Sequence, residues 1–170
     1  VGHGFFLENG TEVFNLLDRN LGVQAFMGPK MKDQELPFDP NDGAAFWWAN
    51  GRNVFTRNVA VENARYGFRY DCQNRSNFDS NLRILMPDGS RRIVDIRTIA
   101  ITRFEENESH SEGLYSVALS GTEGMGPDLS HPHLLRGLKL WQTHYALRAQ
   151  LPTMLMEKIR IDHASYGVYR

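Results

Sequence analysis

The apolar and polar residues of this chain alternate in short runs, and helical periodicity is scarce. Gly and Asn residues separate the runs, which is typical of short β-strands joined by tight turns. Because such strands occur both in sandwiches and in solenoids, internal repeats decide between the two architectures.

Three segments superpose without gaps when a Tyr followed by a small residue is aligned: residues 54–70, 134–148 and 154–170. In each segment, alternating apolar residues predict a first strand, a polar bend follows, and the Tyr-small-apolar signature opens a second strand. The apolar pairs of the first strands are Val59 and Val61, Leu138 and Leu140, and Ile159 and Ile161.

Two further segments, residues 13–26 and 94–119, match the repeat with changes, and an acidic loop at 103–111 lengthens the bend of the second. The five imperfect copies predict an all-β fold, a right-handed parallel β-helix of about five coils with uncapped ends. The predicted inward ladder is Phe14, Val59, Ile99, Leu138 and Ile159, and the predicted column of small corner residues is Gly22, Gly67, Gly113, Ala146 and Gly167.

Two other architectures agree less well with the sequence than a β-helix does. A β-sandwich also has short strands with regular turns, but it does not explain the gapless repeats. An α/β fold requires amphipathic helices, and Pro152 interrupts the one locally helical stretch.

The chain is predicted to form one domain over residues 1–170, as part of a longer protein whose flanking coils cover its ends. Segments 27–43 and 120–131 are rich in Gly and Pro. They are predicted to be loops over one face, where solenoids usually bind ligands.

Composition narrows the range of partners. The chain has 19 Lys and Arg against 20 Asp and Glu, so the basic excess of a nucleic-acid-binding protein is absent. No window approaches the roughly 20 apolar residues of a membrane span. Cys72 is the single cysteine, so no disulfide can form within the chain.

No sequence motif for a metal or a nucleotide occurs, so no cofactor is predicted. A β-helix can hold Ca²⁺ through scattered Asp and Asn side chains, and the sequence leaves that question open. The remaining candidates are polar groups of the kind found in polysaccharide-cleaving sites.

The first candidate group lies at the start of the chain. His3 can act as a general acid or base near neutral pH, with Glu8 as its partner. Strand alternation places the two side chains on opposite faces unless the strand bends. The alternative is that His3, flanked by two glycines, is a corner residue.

The second candidate group is the segment Trp47, Trp48 and Asn50. Alternation predicts that one indole is buried and the other exposed, where it stacks on a sugar ring beside the hydrogen-bonding Asn50. The alternative is that both indoles pack in the core.

The third candidate group is a pair of polar columns at the predicted bends. Arg65, His144 and His163 can present positive charge to a polymer of carboxylate-bearing sugars. The alternative is that the columns only satisfy one another and the backbone. Their members are Asp18, Asn63, Gln142 and His163 in one column, and Asn20, Arg65, His144 and Ser165 in the other.

Residues 2–10 (GHGFFLENG), 20–22 (NLG) and 46–50 (FWWAN) resemble a family of hyaluronan-depolymerising cell-surface proteins. That family includes the cell-migration-inducing hyaluronan-binding protein and the transmembrane hyaluronidase. The resemblance covers about residues 2–70 and implies a parallel β-helix, an extracellular or cell-surface setting and a glycosaminoglycan-like polysaccharide partner. It also implies catalytic roles for His3, Glu8 and Asn20, which match the family motif.

The function predicted from the sequence is that of a secreted or cell-surface protein that depolymerises hyaluronan or a similar glycan, as a hydrolase or a lyase. Two alternatives stay open. One is a non-catalytic carbohydrate-binding β-helix, and the other is a purely structural segment of a large surface protein.

Overall fold

The structure is a computed structural model that describes residues 2–30, 32, 39–73, 76, 78–120 and 128–170. Its strands, in chain order, are β1 (Phe5–Leu7), β2 (Leu16–Asp18), β3 (Leu21–Val23), β4 (Ala44–Trp48), β5 (Val54–Thr56), β6 (Val59–Val61), β7 (Tyr66–Asp71), β8 (Asn81–Leu85), β9 (Arg91–Asp95), β10 (Arg103–Glu105), β11 (Glu108–His110), β12 (Tyr115–Ser120), β13 (His133–Arg136), β14 (Lys139–Gln150), β15 (Met154–Glu157) and β16 (Arg160–Tyr169). A short 3₁₀-helix covers Ile96–Thr98.

The strands stack in parallel, each on the strand one coil later in the chain, which is the pairing of a β-solenoid. The first face contains β1, β4, β7, β12 and the second halves of β14 and β16. The second face contains β2, β5, β10, β13 and β15. The third face contains β3, β6, β11 and the first halves of β14 and β16. The all-β parallel architecture predicted from the repeats is confirmed at this level.

Single residues in the left-handed backbone region turn the chain between faces. Within β14 the bend is at Gln142 (φ 49°), and within β16 it is at His163 (φ 50°). Left-handed backbone is uncommon for residues other than glycine, so its recurrence one coil apart shows that stacking imposes it. The corresponding corner between the second and third faces uses Arg19, Arg57, Glu106, Gly137 and Lys158.

The predicted inward ladder is wrong in detail. Phe14 is 49% exposed and Val59 is partly exposed, whereas Ala60 is fully buried. The third-face strands β3, β6 and β11 are three residues long, so the central residue points inward and its two neighbours point outward. The observed second-face ladder is Leu17, Phe55, Phe104, Leu135 and Met156.

The predicted acidic loop at 103–111 is also wrong, because that segment forms β10 and β11 on either side of the corner residue Glu106. The polar pattern arises because outward positions of short strands accept charged side chains. The column of small residues needs a related correction. The register that pairs Tyr66 with Tyr115 and Tyr145 with Tyr166 places Gly67, Ser116, Ala146 and Gly167 together, without Gly22 or Gly113.

The structure describes only part of the two predicted loops at 27–43 and 120–131. The described part of 27–43 contains no helix or strand, while residues 31 and 33–38 lie outside the described residues. Segment 120–131 begins with the last residue of β12, and residues 121–127 lie outside the description. An antiparallel hairpin, β8 with β9, interrupts the coil between β7 and β10, and the repeats did not predict it.

Among the described residues, no helix has the length and apolar character needed to cross a membrane.

Candidate functional site

The outer side of the first face carries the candidate site. The register aligns Phe6, Trp47, Arg69, Ala118 and Arg148 across successive strands. The residues that alternate with them along these strands, such as Phe46 and Phe68, face the core, where their rings stack 4.8 Å apart. This row is therefore the outward surface of the sheet, and the segment leading into β4 covers its first end.

Three side chains from two distant segments converge at that covered end. The ligand atoms of His3, Asp39 and Asp42 all lie within 4.8 Å of one another. His3 Nε2 is 2.8 Å from Asp39 Oδ2, and both side chains are almost completely buried, at 1% and 2% exposure. The turn that brings the carboxylates there depends on Gly43, whose φ of 79° and close approach to Ala25 leave no room for a Cβ.

The hydrogen bonds of His3 fix the position of its proton. The backbone N–H of Ala44 donates to His3 Nδ1 at 3.1 Å, so that nitrogen carries a lone pair. The proton of the neutral ring must then lie on Nε2, from which it is donated to Asp39. Both ring nitrogens are engaged, and His3 therefore orients a carboxylate rather than facing solvent.

Asp42 is in a different environment from Asp39. Burial raises the pKa of Asp42, and the positive charges of Arg65 and Arg69 oppose that rise. Arg65 Nη1 lies 3.3 Å from Asp42 Oδ2, and the Arg65 side chain is 40% exposed. The site thus holds two carboxyl groups with distinct partners, an arrangement that suits acid and base roles.

Trp47 packs against the group formed by His3, Asp39 and Asp42 through its contact with the His3 ring. Its indole is stacked against the His3 ring at 6.0 Å and packs edge-on against Phe6 at 5.0 Å. The prediction of an exposed indole for sugar stacking is wrong, since Trp47 and Trp48 are 1% and 0% exposed. Residues from the chain start cover the outward indole, and Trp48 packs in the core beside Phe55.

Asn50 is likewise not a surface group. It is 1% exposed, donates to the carbonyl of Gly10 at 2.8 Å and accepts from the backbone N–H of Arg52 at 2.9 Å. Both ends of its side-chain amide therefore stabilise a bend, which leaves neither free for a sugar hydroxyl.

A column of tyrosines runs along the same outer face. Tyr66, Tyr115, Tyr145 and Tyr166 stack with ring centroids 5.7, 4.7 and 4.9 Å apart. Burial raises the pKa of Tyr66, whose hydroxyl also experiences the charges of Arg69, Asp42, Arg65 and Arg148. The Tyr66 end of the column is therefore close enough to Asp42 and to the arginines of this face for their charges to affect its hydroxyl.

The other predicted catalytic residues do not join His3. Glu8 is exposed, and the described hydrogen bonds of His3 go to Asp39 and Ala44. Asn20 donates through its backbone N–H and its side-chain amide to Asn58 Oδ1, at 3.0 and 2.9 Å. That bond belongs to an asparagine ladder at a corner. Catalytic roles for Glu8 and Asn20 stay predictions.

The two later histidines lie in different places. His144 is exposed and packs edge-on against Tyr145 and Tyr166, at 4.4 and 5.3 Å, next to the tyrosine column. His163 is the corner residue of β16 and lines a groove of about 480 Å³ with Trp141 and Arg160. Of the three predicted positive groups, His144 and Arg65 therefore lie near the tyrosine column, and His163 lines a different groove.

The sequence interpretation missed Asp39, Asp42 and Arg69. The segment DPNDG, with one aspartate before Pro40 and another before Gly43 just ahead of a strand, is a signal that could have indicated the carboxylates. No sequence signal distinguishes Arg69 from the other polar residues of the strands, because its outward position depends on the register.

The hydrogen bonds of His3, Asp39 and Asp42 decide whether this group can hold a metal ion. A metal bound at His3 Nε2 would need the lone pair of the atom that carries the ring proton in this hydrogen-bond pattern. Ca²⁺ takes six to eight oxygen ligands, and Asp39 and Asp42 supply two carboxylates. Within the part of the chain that the structure describes, this group therefore does not fit a resident metal ion, and its hydrogen bonds suit proton chemistry.

The comparisons with known proteins agree with the fold. The family described as CEMIP beta-helix matches residues 1–117. Fibrocystin-L from Homo sapiens is 26% identical over 118 residues, and Fibrocystin-L from Mus musculus is 27% identical over the same length. Those residues are 68% of this chain and 2% of each relative, so the chain spans a small part of the proteins that it matches. No solved structure matches the chain significantly. The resemblance seen in the sequence motifs is confirmed, and the chain belongs to the CEMIP beta-helix family.

Proposed function

We propose that this chain binds and cleaves an acidic polysaccharide, such as hyaluronan or a related glycosaminoglycan, on the outer side of its first face. The proposal depends on the convergence of Asp39 and Asp42 within 4.8 Å, where Arg65 pairs with Asp42 and the charge of Arg69 also acts on it. Hydrolysis of a glycosidic bond uses two carboxyl groups of different protonation.

The roles follow from the hydrogen bonds. Asp42, whose pKa burial raises, is the proposed proton donor to the leaving oxygen. Asp39, held by the Nε2 proton of His3, is the proposed base or nucleophile. His3 is then a positioning residue. A lyase would use the same pair differently, abstracting a proton beside the uronate carboxylate.

We further propose that the β-helix is right-handed, has about five coils and is located outside the cell or on its surface. We also propose that flanking coils cover its end strands. The last is supported at β15 and β16, where Met156 and Val168 are 39% and 54% exposed although their partners one coil earlier, Leu135 and Leu147, are fully buried.

The second candidate function is glycan binding without cleavage. It is favoured by the burial of the carboxyl pair, since Asp39 and Asp42 are 2% and 7% exposed. A polymer would have to displace the covering segment to reach them.

The test is incubation of the chain with high-molecular-mass hyaluronan, chondroitin, pectate and alginate, with and without Ca²⁺. Product size and ultraviolet absorbance separate hydrolysis from elimination. Asp42→Asn should abolish shortening and leave folding intact by circular dichroism, while Asp88→Asn at the exposed hairpin turn should behave like the parent chain. Binding without shortening would select the second candidate.

A further inference from the structure

Trp141 is the tryptophan that lies at the surface of this chain. The other two, Trp47 and Trp48, are 1% and 0% exposed, whereas Trp141 is partly exposed. It belongs to the first half of β14, on the third face, where the neighbouring Leu140 is buried and faces the core. Trp141 therefore points outward. The surface indole that the sequence suggested at Trp47 or Trp48 is found here instead.

One face of the Trp141 ring is covered, and this contact holds the indole in place. The register aligns it with His110 one coil earlier, and the two rings stack with centroids 4.3 Å apart and planes inclined by 15°. The Nδ1 atom of His110 lies 3.1 Å from the hydroxyl oxygen of Ser111, so the imidazole is itself held. The indole is thus presented in one orientation, which lowers the entropic cost of binding a flat ligand.

A groove opens at the other face of the ring. The register places Asp162 opposite Trp141 one coil later, and a carboxylate side chain is too short to cover an indole. The groove lined by these two residues and His163 has a volume of about 480 Å³, within the roughly 300–1,000 Å³ of small-molecule sites. It opens on the outward side of the third face. A flanking coil paired with β16 would therefore extend this face without covering the groove.

Charged side chains of both signs line the same groove. Lys139 Nζ lies 2.6 Å from Glu108 Oε1, and Arg160 Nε lies 2.6 Å from Asp162 Oδ2. The two positive and two negative charges cancel, so they give neither an acidic nor a basic ligand a net attraction. They do supply hydrogen-bond donors and acceptors around an apolar ring. Sugar hydroxyls both donate and accept, and the C–H groups of a pyranose ring form a flat apolar surface.

We propose that this groove binds a pyranose unit of a neutral polysaccharide, with the sugar ring stacked on Trp141 and its hydroxyls bonded to Asp162 and Lys139. This second, non-catalytic carbohydrate site lies on a different face from the carboxyl pair and goes beyond the proposed function. An apolar peptide side chain would fill the ring contact but would take water from the two ion pairs without replacing its hydrogen bonds, which is costly.

Tryptophan fluorescence tests this groove selectively, because the other two indoles are buried. Cellohexaose, a neutral oligosaccharide, should change the emission of the chain and protect it from quenching by acrylamide. Trp141→Ala should remove both effects and weaken binding, measured by calorimetry, by about tenfold or more. Trp141→Phe keeps a ring and should retain part of the affinity. Phe14→Ala, which removes an exposed aromatic ring outside the groove, is the matched control and should bind like the parent chain.

The result is independent of the cleavage proposal. Asp42→Asn should bind cellohexaose like the parent chain, whether or not the parent shortens any polymer. Absence of protection by cellohexaose in the folded parent chain would overturn the inference. Stronger protection by a hyaluronan hexasaccharide than by cellohexaose would also overturn it, because the paired charges of the groove favour a neutral sugar. Both of these measurements use the parent chain, so they decide the question even if Trp141→Ala does not fold.

Discussion

The side-chain oxygen of Asn107 accepts two hydrogen bonds from Asn58, one from its backbone N–H and one from its side-chain amide, both at 3.0 Å. Asn58 serves Asn20 in the same way one coil earlier. These residues follow the left-handed corners at Arg19, Arg57 and Glu106. The ladder therefore satisfies the buried backbone groups at each corner, which is why uncommon backbone conformations recur there.

Replacing Asn58 by Ala should interrupt this ladder. Asn58 is 0% exposed, and its removal leaves the backbone N–H of Asn20 and the carbonyl of Leu17 without their partners. We expect a loss of about 2–4 kcal/mol in the free energy of unfolding, measured by urea denaturation. Asn81→Ala, an exposed asparagine, should change stability far less, and equal losses in the two variants would contradict the ladder's role.

Buried His133 should make stability fall in acid. Burial lowers the pKa of His133 from 6.5 to about 4, and its Nδ1 accepts from the backbone N–H of Ile101. The unfolded chain binds a proton near pH 6.5 while the folded chain resists it until about 4. Stability contributed by the neutral ring is thus present above pH 6.5 and is lost as pH falls toward 4, by about 3 kcal/mol.

His133→Asn keeps an acceptor for Ile101 and removes the titration. The slope of unfolding free energy against pH between 4 and 6.5 should become less positive than in the parent chain. His131→Asn, which changes an exposed histidine, is the control and should leave that slope unchanged. An unaltered slope in His133→Asn would show that His133 is not protonated on unfolding.

Buried Glu112 should lower the free energy of unfolding as pH rises, which is the opposite of the effect of His133. Burial raises its pKa from 4.5 to about 7, against the lowering effect of hydrogen bonds from Asn63 and Ser109. The folded chain therefore holds a proton that the unfolded chain releases near pH 4.5. The contribution is fully present below pH 4.5 and is lost as pH rises through 7, by about 2–3 kcal/mol.

Glu112→Gln should remove that decline, so the variant's stability should rise more steeply with pH than the parent's between 4.5 and 7. In the parent chain the contributions of Glu112 and His133 oppose each other over this range. Pairing Glu112→Gln with His133→Asn should therefore give a profile closer to the parent's than either single variant does. Calorimetric melting temperatures across the pH range would measure this.

Arg65 should set the working pH of the proposed site. Its charge opposes the rise of the Asp42 pKa, so Arg65→Gln should move that pKa further upward. The alkaline limb of any glycan-shortening activity should then shift to higher pH. Arg57→Gln, which removes a comparably exposed arginine paired with Asp18, is the control. A pH profile that is identical in Arg65→Gln would separate Asp42 from proton donation.

Some features of the fold were predictable because they are local. The Tyr-small-apolar signature at Tyr66, Tyr145 and Tyr166 predicted strands that align across coils, and all three lie in one column. Tyr115 belongs to the same column, but the shifted alignment of its segment assigned Gly113 to the corner instead. The misalignment is three residues, because the register places Ser116 opposite Gly67, and any odd shift exchanges inward and outward side chains since strand periodicity is two.

The candidate site was predictable only in part. His3 was singled out by its chemistry, but its partner Asp39 is 36 residues away in a segment assigned to a loop. Trp47 looked like a sugar platform because alternation alone cannot tell that another segment covers an outward face.

The sequence by itself determined that the chain stacks short parallel strands, since repeated alternation and corner residues specify that pairing locally. The tertiary structure decided which side of each strand faces the core, because single left-handed residues reset the alternation at every corner. It also decided that His3, Asp39 and Asp42 meet, and that the Arg148 guanidinium lies over the Tyr115 ring. Those relationships depend on chain closure over long separations, which no local pattern encodes.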